Sequence, residues 1–359
     1  MKIRSPRSKR RLALSVLVGA LALAVSTPAT AVSAQSSPVV DQQACLPAAA
    51  GHTDANAFVC DRMAGPNRYA TSKAVMEHPG IPWGTTTVVV VSGDNPYDAL
   101  SATTFANVLK APILLSPSQG LSPETRAALQ AAKARGVTDV VVVGGFSSLS
   151  ARVSDQISDM GLLLERYSGV DRFDTSAMVA FKTRQYYEEA GQLLKGVFFA
   201  DGRNFADSLA AGPAAAARNG ILLLTNGSSM VYHINDSVLD LGVPMWAIGG
   251  NAAKAAAHLN ATPVVGTDRF DTAVKVARTF FPSRTRWVAA NGDSYPDALS
   301  GGALAARLHS PLLLTKAKTV PGVVRTYLNE STDAEGIYLL GGLSSISEPT
   351  RRQLCEAAR

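Results

Sequence analysis

The chain has 359 residues, and its 34 Lys and Arg against 28 Asp and Glu give a formal net charge of +6 at pH 7. Six of the basic residues lie in the first eleven positions, and no acidic residue precedes Asp41. Removing that basic segment leaves 28 charges of each sign. A neutral mature chain without a second basic run lacks the electrostatic footprint of nucleic-acid binding, so we exclude a nucleic-acid partner.

The first 34 residues have the pattern of a secretory signal peptide. A 14-residue apolar run, Leu12 to Val25, follows the basic residues, and Pro28 and several small residues follow the run. The alternative is a membrane anchor, but 14 residues fall short of the ~20 that span a bilayer. We predict a secreted protein, located at the cell wall or outside the cell, with no transmembrane helix in the mature chain. Residues 35–61 are predicted to form an N-terminal extension.

The chain has three cysteines, too few for disulfides to be the main support of the fold. Cys45 and Cys60 are candidate disulfide partners outside the cell, and a bond between Cys60 and Cys355 is equally allowed by the sequence. There is no CxxC pattern and no recurrent Cys/His spacing. The sequence therefore predicts neither a metal site nor a cofactor.

One sequence frame, Gly-x-Asn/Asp-Arg-aromatic-x-Thr, occurs three times. The copies begin at Gly65, Gly169 and Gly266. An arginine precedes the glycine by three residues in the first two copies, as Arg62 and Arg166, whereas the third copy has Pro263 there. Repetition of a whole block indicates one structural unit copied along the chain.

Two further blocks follow each frame with constant spacing. In the first, a glycine precedes an aspartate by five residues, and an apolar segment begins fourteen residues after the aspartate. The aspartates are Asp98, Asp207 and Asp297. The apolar segments are Pro112-Ile113-Leu114-Leu115, Ile221-Leu222-Leu223-Leu224 and Pro311-Leu312-Leu313-Leu314. In the second block a strand runs into two glycines, at Gly144-Gly145, Gly249-Gly250 and Gly341-Gly342.

Each copy combines the patterns of buried strands and of helices. Continuous β-branched runs such as Val88 to Val91 and Val140 to Val143 are typical of parallel strands buried on both faces. Pro123 to Gly136 has the pattern of a helix that begins near its proline and ends at its glycine. Alternating strands and helices predict an α/β fold of three tandem Rossmann-like open-sheet modules, at residues 62–165, 166–262 and 263–359.

The repeated aspartates stand where a buried strand ends and a helix begins. Helix capping is the structural interpretation, and ligand binding is the functional one. Asp94 and Asp98 could form an acid–base pair, and Ser101 could act as a nucleophile. Neither arrangement recurs, because the second copy has Arg203 in place of Asp94 and Ala210 in place of Ser101. The five histidines share no repeat position, so no recurrent general base exists and no catalytic residue is assigned.

The glycine pairs and the frame arginines are candidate anion sites. Turns at Gly144-Gly145 and Gly341-Gly342 would place backbone N–H groups at a positive helix end, although they could equally serve close contact of strand and helix. The frame arginines are Arg68, Arg172 and Arg269. Each could bind a carboxylate or phosphate of a polymer in a forked geometry. The alternative is a salt bridge between units, from an arginine to a repeated aspartate.

Together these blocks resemble the cell wall-binding repeat 2 family of Gram-positive surface proteins, over nearly the whole mature chain. The motifs that carry the resemblance are Arg62-x-x-Gly65-x-x-Arg68-Tyr69-x-Thr71, Gly292-Asp-Ser-Tyr-Pro-Asp297-Ala-Leu-Ser300, Pro112-Ile-Leu-Leu115 and Gly341-Gly342. The resemblance implies modules assembled in threes around a pseudo-threefold axis. It also implies non-covalent attachment to an anionic secondary wall polymer or a peptidoglycan-associated glycan, with the Pro-Ile-Leu-Leu segment associated with attachment.

The second copy departs from this pattern. Ile221 replaces the proline, and alanines and Lys254 follow the glycine pair where the other copies carry serines. We therefore expect the second module to serve mainly in holding the trio together. The candidate polymer-binding residues are the three arginines, the three aspartates, the two segments that begin at Pro112 and Pro311, and the glycine pairs of the first and third copies.

Members of the resembled family often carry a catalytic domain, commonly a peptidoglycan amidase, and the repeats leave no room for one in this sequence. We predict a secreted, non-catalytic wall-binding protein. Two alternatives stay open. One is a wall-degrading amidase or glycosidase that uses Asp293, Asp297 and Ser300 of the third module. The other is a surface adhesion protein with a protein partner.

Overall fold

The buried β-branched runs form the centres of three parallel sheets. The computed structural model describes residues 58–231, 241–331 and 333–359. The predicted signal peptide, Cys45 and nearly all of the extension lie outside the described residues. Among the described helices, none is long and apolar enough to cross a membrane.

The first part of the chain forms one sheet and the helices beside it. Its elements are β1 (Val59–Met63), α1 (Arg68–Glu77), β2 (Thr87–Ser92), α2 (Ala102–Val108), β3 (Ile113–Ser116), α3 (Pro123–Ala134), β4 (Asp139–Val143), α4 (Ala151–Ser158) and β5 (Leu163–Tyr167). A turn of 3₁₀ helix, Ala99–Ser101, precedes α2. The sheet order is β3-β2-β4-β5. The predicted strands β2 and β4 and the predicted helix α3 are confirmed.

The second and third parts of the chain repeat this layout. The second comprises α5 (Arg172–Glu189), β6 (Gly196–Asp201), α6 (Phe205–Ala217), β7 (Gly220–Thr225), β8 (Met245–Ile248), α7 (Gly250–Ala255), a 3₁₀ turn (Ala257–Leu259) and β9 (Thr262–Val264). The third comprises α8 (Arg269–Phe280), β10 (Arg286–Asn291), α9 (Pro296–Arg307), β11 (Leu312–Thr315), α10 (Gly322–Asn329), β12 (Gly336–Leu340) and α11 (Glu348–Ala357). Their sheet orders are β7-β6-β8-β9 and β1-β12-β10-β11. All described strand pairs of the three sheets are parallel, so the predicted α/β fold is confirmed.

Each sheet takes one edge strand from the residues just before a sequence frame. The strand β5 contains Arg166 and pairs with β4, so that Tyr167 lies beside Val143. In the same way β9 joins the second sheet, and the N-terminal strand β1 joins the third, with Met63 beside Leu340. The sheets and the sequence repeats are therefore offset by one strand. We call each sheet with its helices a module: the first runs from α1 to β5, the second from α5 to β9, and the third from α8 to α11 together with β1.

One helix of each module contributes to a shared centre. The helices α2, α6 and α9 contact one another in all three pairs. They occupy equivalent places after the first strand of each module, so the modules are related by a pseudo-threefold arrangement. Alanine and glycine dominate α6 and α9, and small side chains let helices approach closely.

A disulfide bond joins β1 to the last helix. Cys60 bonds Cys355, with a Cα–Cα distance of 5.8 Å across 295 residues of chain. This is the second of the two pairings that the sequence allowed, and it corrects the candidate bond between Cys45 and Cys60, because Cys60 is already used. The bond lies in the third module and ties the strand that completes its sheet.

Candidate functional site

Each frame lies where the chain passes from one module to the next. The Asn or Asp of the frame caps the helix that follows, because its side-chain oxygen accepts hydrogen bonds from backbone N–H groups of the first turn. In all three frames the threonine hydroxyl accepts a hydrogen bond from the glycine N–H, at 3.2, 3.1 and 3.1 Å. The frame is thus a rigid capped connection that positions its arginine at the start of a helix.

The frame arginines bind the backbone of their own modules. In each case Nη1 donates to the carbonyl oxygen of the glycine after the first strand of the module. The pairs are Arg68 with Gly93, Arg172 with Gly202 at 3.1 Å, and Arg269 with Gly292 at 2.7 Å. All three arginines are half-buried. A fixed guanidinium that uses one donor on the backbone keeps further donors for another partner.

The guanidinium of each arginine also lies over an aromatic ring of a neighbouring module. The pairs, with the distance from Cζ to the ring centroid, are Arg68 over Tyr295 (5.7 Å), Arg172 over Tyr97 (3.6 Å) and Arg269 over Phe205 (5.7 Å). The first module contacts the third, the second the first, and the third the second, so the contacts close a ring. Cation–π contacts of this kind contribute ~0.5–2 kcal/mol each.

These rings were missed by the sequence reasoning. The signal was present, because an aromatic residue stands one or two positions before the repeated aspartate in every copy. The arginines contact carbonyls and rings of the described residues rather than the repeated aspartates. The alternative of a salt bridge between units is not formed among the described residues, although the Arg269 charge acts on the Asp207 carboxyl of the second module.

The repeated aspartates lie against the Gly-Gly turns of their own modules. The first glycine of each turn has a positive φ of 121°, 86° or 99°, at Gly144, Gly249 and Gly341 respectively. A Cβ added to Gly341 would lie 2.2 Å from a carboxylate oxygen of Asp297, and one added to Gly249 would lie 2.0 Å from Asp207. Glycine is required here for both the backbone angle and the space that the carboxylate fills.

Two of the three carboxylates receive a serine hydroxyl in the same turn. Ser345 donates to Asp297 at 2.6 Å, and Ser148 donates to Asp98 in the same way. Asp98 makes no side-chain capping bond, and Asp207 and Asp297 lie within the first turns of α6 and α9. The capping role predicted for these aspartates is therefore wrong.

The glycine pairs are not open anion sites. The predicted sites at Gly144-Gly145 and Gly341-Gly342 already hold a carboxylate of the same module, and a second anion there would be repelled. The sequence suggested the aspartates and the Gly-Gly turns as separate ligand sites. In the structure the carboxylate of each aspartate instead packs against the Gly-Gly turn of its own module. This corrects both expectations and leaves the arginine junctions as the candidate functional sites.

The Gly249-Gly250 turn of the second module lacks the contacts of the other two. Arg62 Nη1 donates to the Gly341 carbonyl at 2.7 Å, and Arg166 Nη1 donates to that of Gly144 at 2.6 Å. The strand that reaches the second module's turn carries Pro263 at the equivalent position. The third frame lacks the arginine, and the second glycine pair is not followed by serines. Both differences thus affect the same turn, at Gly249-Gly250.

Asp207, at this turn, has a raised pKa. Burial raises the pKa of its carboxyl to about 6, and the nearby Asp201 carboxylate adds to the rise, while the Thr272 hydroxyl and the Arg269 charge oppose it. The position equivalent to Ser148 and Ser345 is Ala253, so the hydroxyl that serves the other two carboxylates is absent.

Replacement of Asp207 by Asn should therefore stabilise the protein at neutral pH. The folded state holds the Asp207 proton more tightly than the unfolded state, so the contribution of Asp207 to stability falls as pH rises from about 4 to about 6. We expect Asp207→Asn to raise the free energy of unfolding by about 1–3 kcal/mol at pH 8 and to give no gain at pH 4. Urea unfolding at the two pH values measures this difference. Ala253→Ser, which supplies the missing hydroxyl, should also stabilise more at pH 8, and equal effects of either variant at both pH values would contradict the explanation.

The Pro-Ile-Leu-Leu segments are core. Residues 112–115 and 311–314 are all buried, and their strands β3 and β11 lie at sheet edges covered by helices, so their side chains cannot contact a polymer. The expectation of direct polymer contact by Pro112, Ile113, Leu114, Leu115, Pro311, Leu312, Leu313 and Leu314 is corrected accordingly. They build the modules whose edges form the junctions.

The residues of the hydrolase alternative do not form a catalytic group. The Ser300 side chain is fully buried, and its hydroxyl donates to the Asp297 backbone carbonyl at 3.1 Å. The Asp297 carboxylate is engaged by Ser345, and Asp293 is exposed. In the described part of the chain, no group of three or more His, Cys, Asp or Glu side chains is placed to hold a metal ion.

Three repeated α/β modules, joined in a ring by arginine contacts, define a protein built from tandem copies of one domain. The chain belongs to the cell wall binding domain 2 (CWB2) family, which matches residues 62–154, 166–258 and 264–351.

Two curated relatives align with most of this chain and are longer than it. The N-acetylmuramoyl-L-alanine amidase LytC of Bacillus subtilis is 28% identical over 298 residues, which are 82% of this chain and 57% of LytC. The amidase enhancer of the same organism is 27% identical over 311 residues, 85% of this chain and 41% of the enhancer. The chain thus spans about half the length of these relatives.

Solved structures share the three-module fold. Cwp6 from Clostridium difficile superposes with a TM-score of 0.73 at 26% identity, covering 82% of this chain and 48% of Cwp6. Cwp8 from the same organism has a TM-score of 0.72 at 22% identity, covering 83% of this chain and 51% of Cwp8. The latter likeness concerns the fold alone.

Proposed function

We propose that this is a secreted, non-catalytic protein that attaches non-covalently to an anionic secondary polymer of the cell wall. The observation that carries the proposal is the threefold arginine junction. Each junction holds a guanidinium in place with one backbone hydrogen bond and one aromatic ring, and leaves it half-buried at the edge between two modules. Membership of a wall-binding domain family supports the same function.

Attachment through placed guanidiniums agrees with the charge of the chain. A mature protein with 28 charges of each sign has little bulk attraction for an anionic polymer, and salt would screen that attraction. A guanidinium held at a defined position binds a carboxylate or phosphate with a charge-assisted, forked hydrogen bond.

The non-catalytic part of the proposal rests on the state of the hydrolase residues. A nucleophile must reach its substrate, and the hydroxyl of Ser300 is enclosed and bonded to its own helix. The amidase named among the relatives is nearly twice as long as the aligned region, so we do not extend its activity to this chain.

Sedimentation with purified walls tests the proposal. The mature chain should sediment with intact Gram-positive walls and stay soluble with walls whose secondary polymers have been removed by acid. Equal binding to stripped peptidoglycan would contradict polymer attachment, and binding to neither would favour a protein partner. Release of reducing ends or amino groups from walls, abolished by Asp297→Ala in a variant that still folds, would favour the hydrolase.

A further inference from the structure

The three junctions differ at one position next to the glycine that binds the frame arginine. The residue directly after the glycine that accepts the arginine bond is Asp94 in the first module, Arg203 in the second and Asp293 in the third. Because this position follows the first strand of each module, it lies beside the frame arginine in every copy. Only the second module therefore places a second cation there.

An open cleft of about 480 Å³ lies at the junction between the first and second modules. It is lined by Tyr97, Asp171, Arg172, Phe173 and Arg203. The guanidinium of Arg172 is held over Tyr97 and by the Gly202 carbonyl, as described above. Arg203 is exposed, and its Nε donates to the side-chain oxygen of Asn226. Within the described residues this is its one side-chain hydrogen bond, so the two terminal nitrogens remain as donors.

The acidic residue of the cleft is already engaged. Asp171 Oδ1 accepts hydrogen bonds from the backbone N–H groups of Phe173 and Asp174, at 2.8 and 2.9 Å, as the cap of α5. A carboxylate that caps a helix has its charge partly balanced by the helix end. Among the residues that line the cleft, two arginines thus face one balanced carboxylate. The neighbouring Asp201 carboxylate is buried, does not line the cleft, and accepts hydrogen bonds from the Arg203 and Gly227 N–H groups and the Asn251 side chain.

The equivalent places at the other two junctions have no such excess. At the first-module arginine, Asp94 offsets Arg68, and its carboxylate accepts from Tyr69 at 2.6 Å and from the Ser118 N–H at 2.8 Å. At the third, Asp268 caps the helix that begins at Arg269, and the exposed Asp293 follows the glycine that binds Arg269.

We propose that the cleft formed by Tyr97, Arg172 and Arg203 is the anion-binding site of the three junctions and takes one carboxylate- or phosphodiester-bearing sugar unit of the wall polymer. The proposal rests on the function proposed above and deepens it, because it assigns attachment to one junction. The other two junctions hold the modules together. The second module, which the sequence marked as the least suited to binding, supplies both arginines.

Titration with defined oligomers tests the assignment. The probes are a glycerol phosphate hexamer, which carries phosphodiesters, and a galacturonate trisaccharide, which carries carboxylates, with neutral galactotriose as control. The wild-type mature chain should bind one equivalent of an anionic probe and none of the neutral sugar. Binding of only one of the two anionic probes identifies the source of the charge.

Arg203→Asp gives the cleft the charged residues of the third junction and should weaken probe binding at least about tenfold, because it removes one forked charge-assisted contact and adds a repelling charge. Arg203 is exposed, so the variant should keep the thermal unfolding temperature of the wild type. The matched variant Asp293→Arg places a second arginine at the third junction, and should raise the stoichiometry toward two.

Three outcomes would overturn the assignment. They are three equivalent sites in the wild type, unchanged affinity in Arg203→Asp, and no anionic probe binding at all. Wall sedimentation of the same proteins separates this inference from the proposed function. If Arg203→Asp still sediments with intact but not with stripped walls, polymer attachment stands and its assignment to this cleft fails. If the wild type does not distinguish the two wall preparations, the proposed function itself fails.

Discussion

Replacement of Cys355 by Ser is expected to lower the free energy of unfolding by about 5 kcal/mol. The bond to Cys60 closes a loop of 295 residues, and closing a loop of that length removes a large amount of conformational entropy from the unfolded chain. The disulfide also acts in the folded state, because it holds β1 at the edge of the third sheet, where β1 pairs with β12 alone. Without the bond, only five residues of strand pairing and local side-chain contacts hold β1 in place.

Guanidinium chloride unfolding of the oxidised mature protein measures the effect of Cys355→Ser. The control is Cys45→Ser, which removes a cysteine that the bond does not use and should leave the unfolding midpoint unchanged. If Cys45→Ser were as destabilising as Cys355→Ser, the bond between Cys60 and Cys355 would not be the one that forms in solution. Digestion without reduction, followed by mass spectrometry, identifies the linked peptides directly.

The loss of β1 would reach further than the third sheet. Arg62, on β1, donates to the Gly341 carbonyl, and Arg68, five residues after β1, forms the junction with Tyr295. One strand thus connects the Gly-Gly turn of the third module to the junction of the third and first modules. We expect limited proteolysis of Cys355→Ser to begin near this strand.

The repeats and the strands could be predicted from the sequence because both are local patterns. Runs such as Val88 to Val91 are long enough and apolar enough to identify a buried strand without further context. The exchange of end strands could not be predicted in the same way. Leu163–Tyr167 would look the same whether it paired with β4 or with a strand of the next repeat, because pairing depends on contacts between distant parts of the chain.

In the candidate site, too, local features could be predicted from the sequence and contacts between distant residues could not. The frame arginines were identified because each copy repeats them, and the structure places all three at equivalent junctions. The partnership of Asp98 with the turn at Gly144 was not predicted, because 46 residues separate them and nothing local links the two. Each feature was therefore given its common local role, capping for the aspartate and anion binding for the glycines. Both roles failed for the same reason, since each group is the other's partner.

Substitutions where α2, α6 and α9 meet at the centre of the three modules are expected to have the second large effect on the free energy of unfolding. Thr103, Gly212 and Gly302 occupy the same position, five residues after the repeated aspartate, in α2, α6 and α9. A Cβ on Gly302 would lie 2.5 Å from Thr103 Oγ1, and one on Gly212 would lie 2.9 Å from Thr103 Cβ. One threonine therefore fills the space that two glycines leave, and a second side chain has no room.

Gly302→Val should cost about 3 kcal/mol or more, because it forces apart helices from different modules at a fully buried point. The matched control is Gly322→Val in α10, where an added Cβ meets nothing within 4 Å and the effect should be small. Thr103→Gly should lower stability by itself, since it opens a cavity and puts glycine in a helix. In the double variant, however, the valine takes the space of the threonine, and much of the loss should be recovered. A thermodynamic cycle of the four proteins measures that coupling. Additive losses would mean that Thr103 and Gly302 do not meet, and that another contact joins the three modules at their centre.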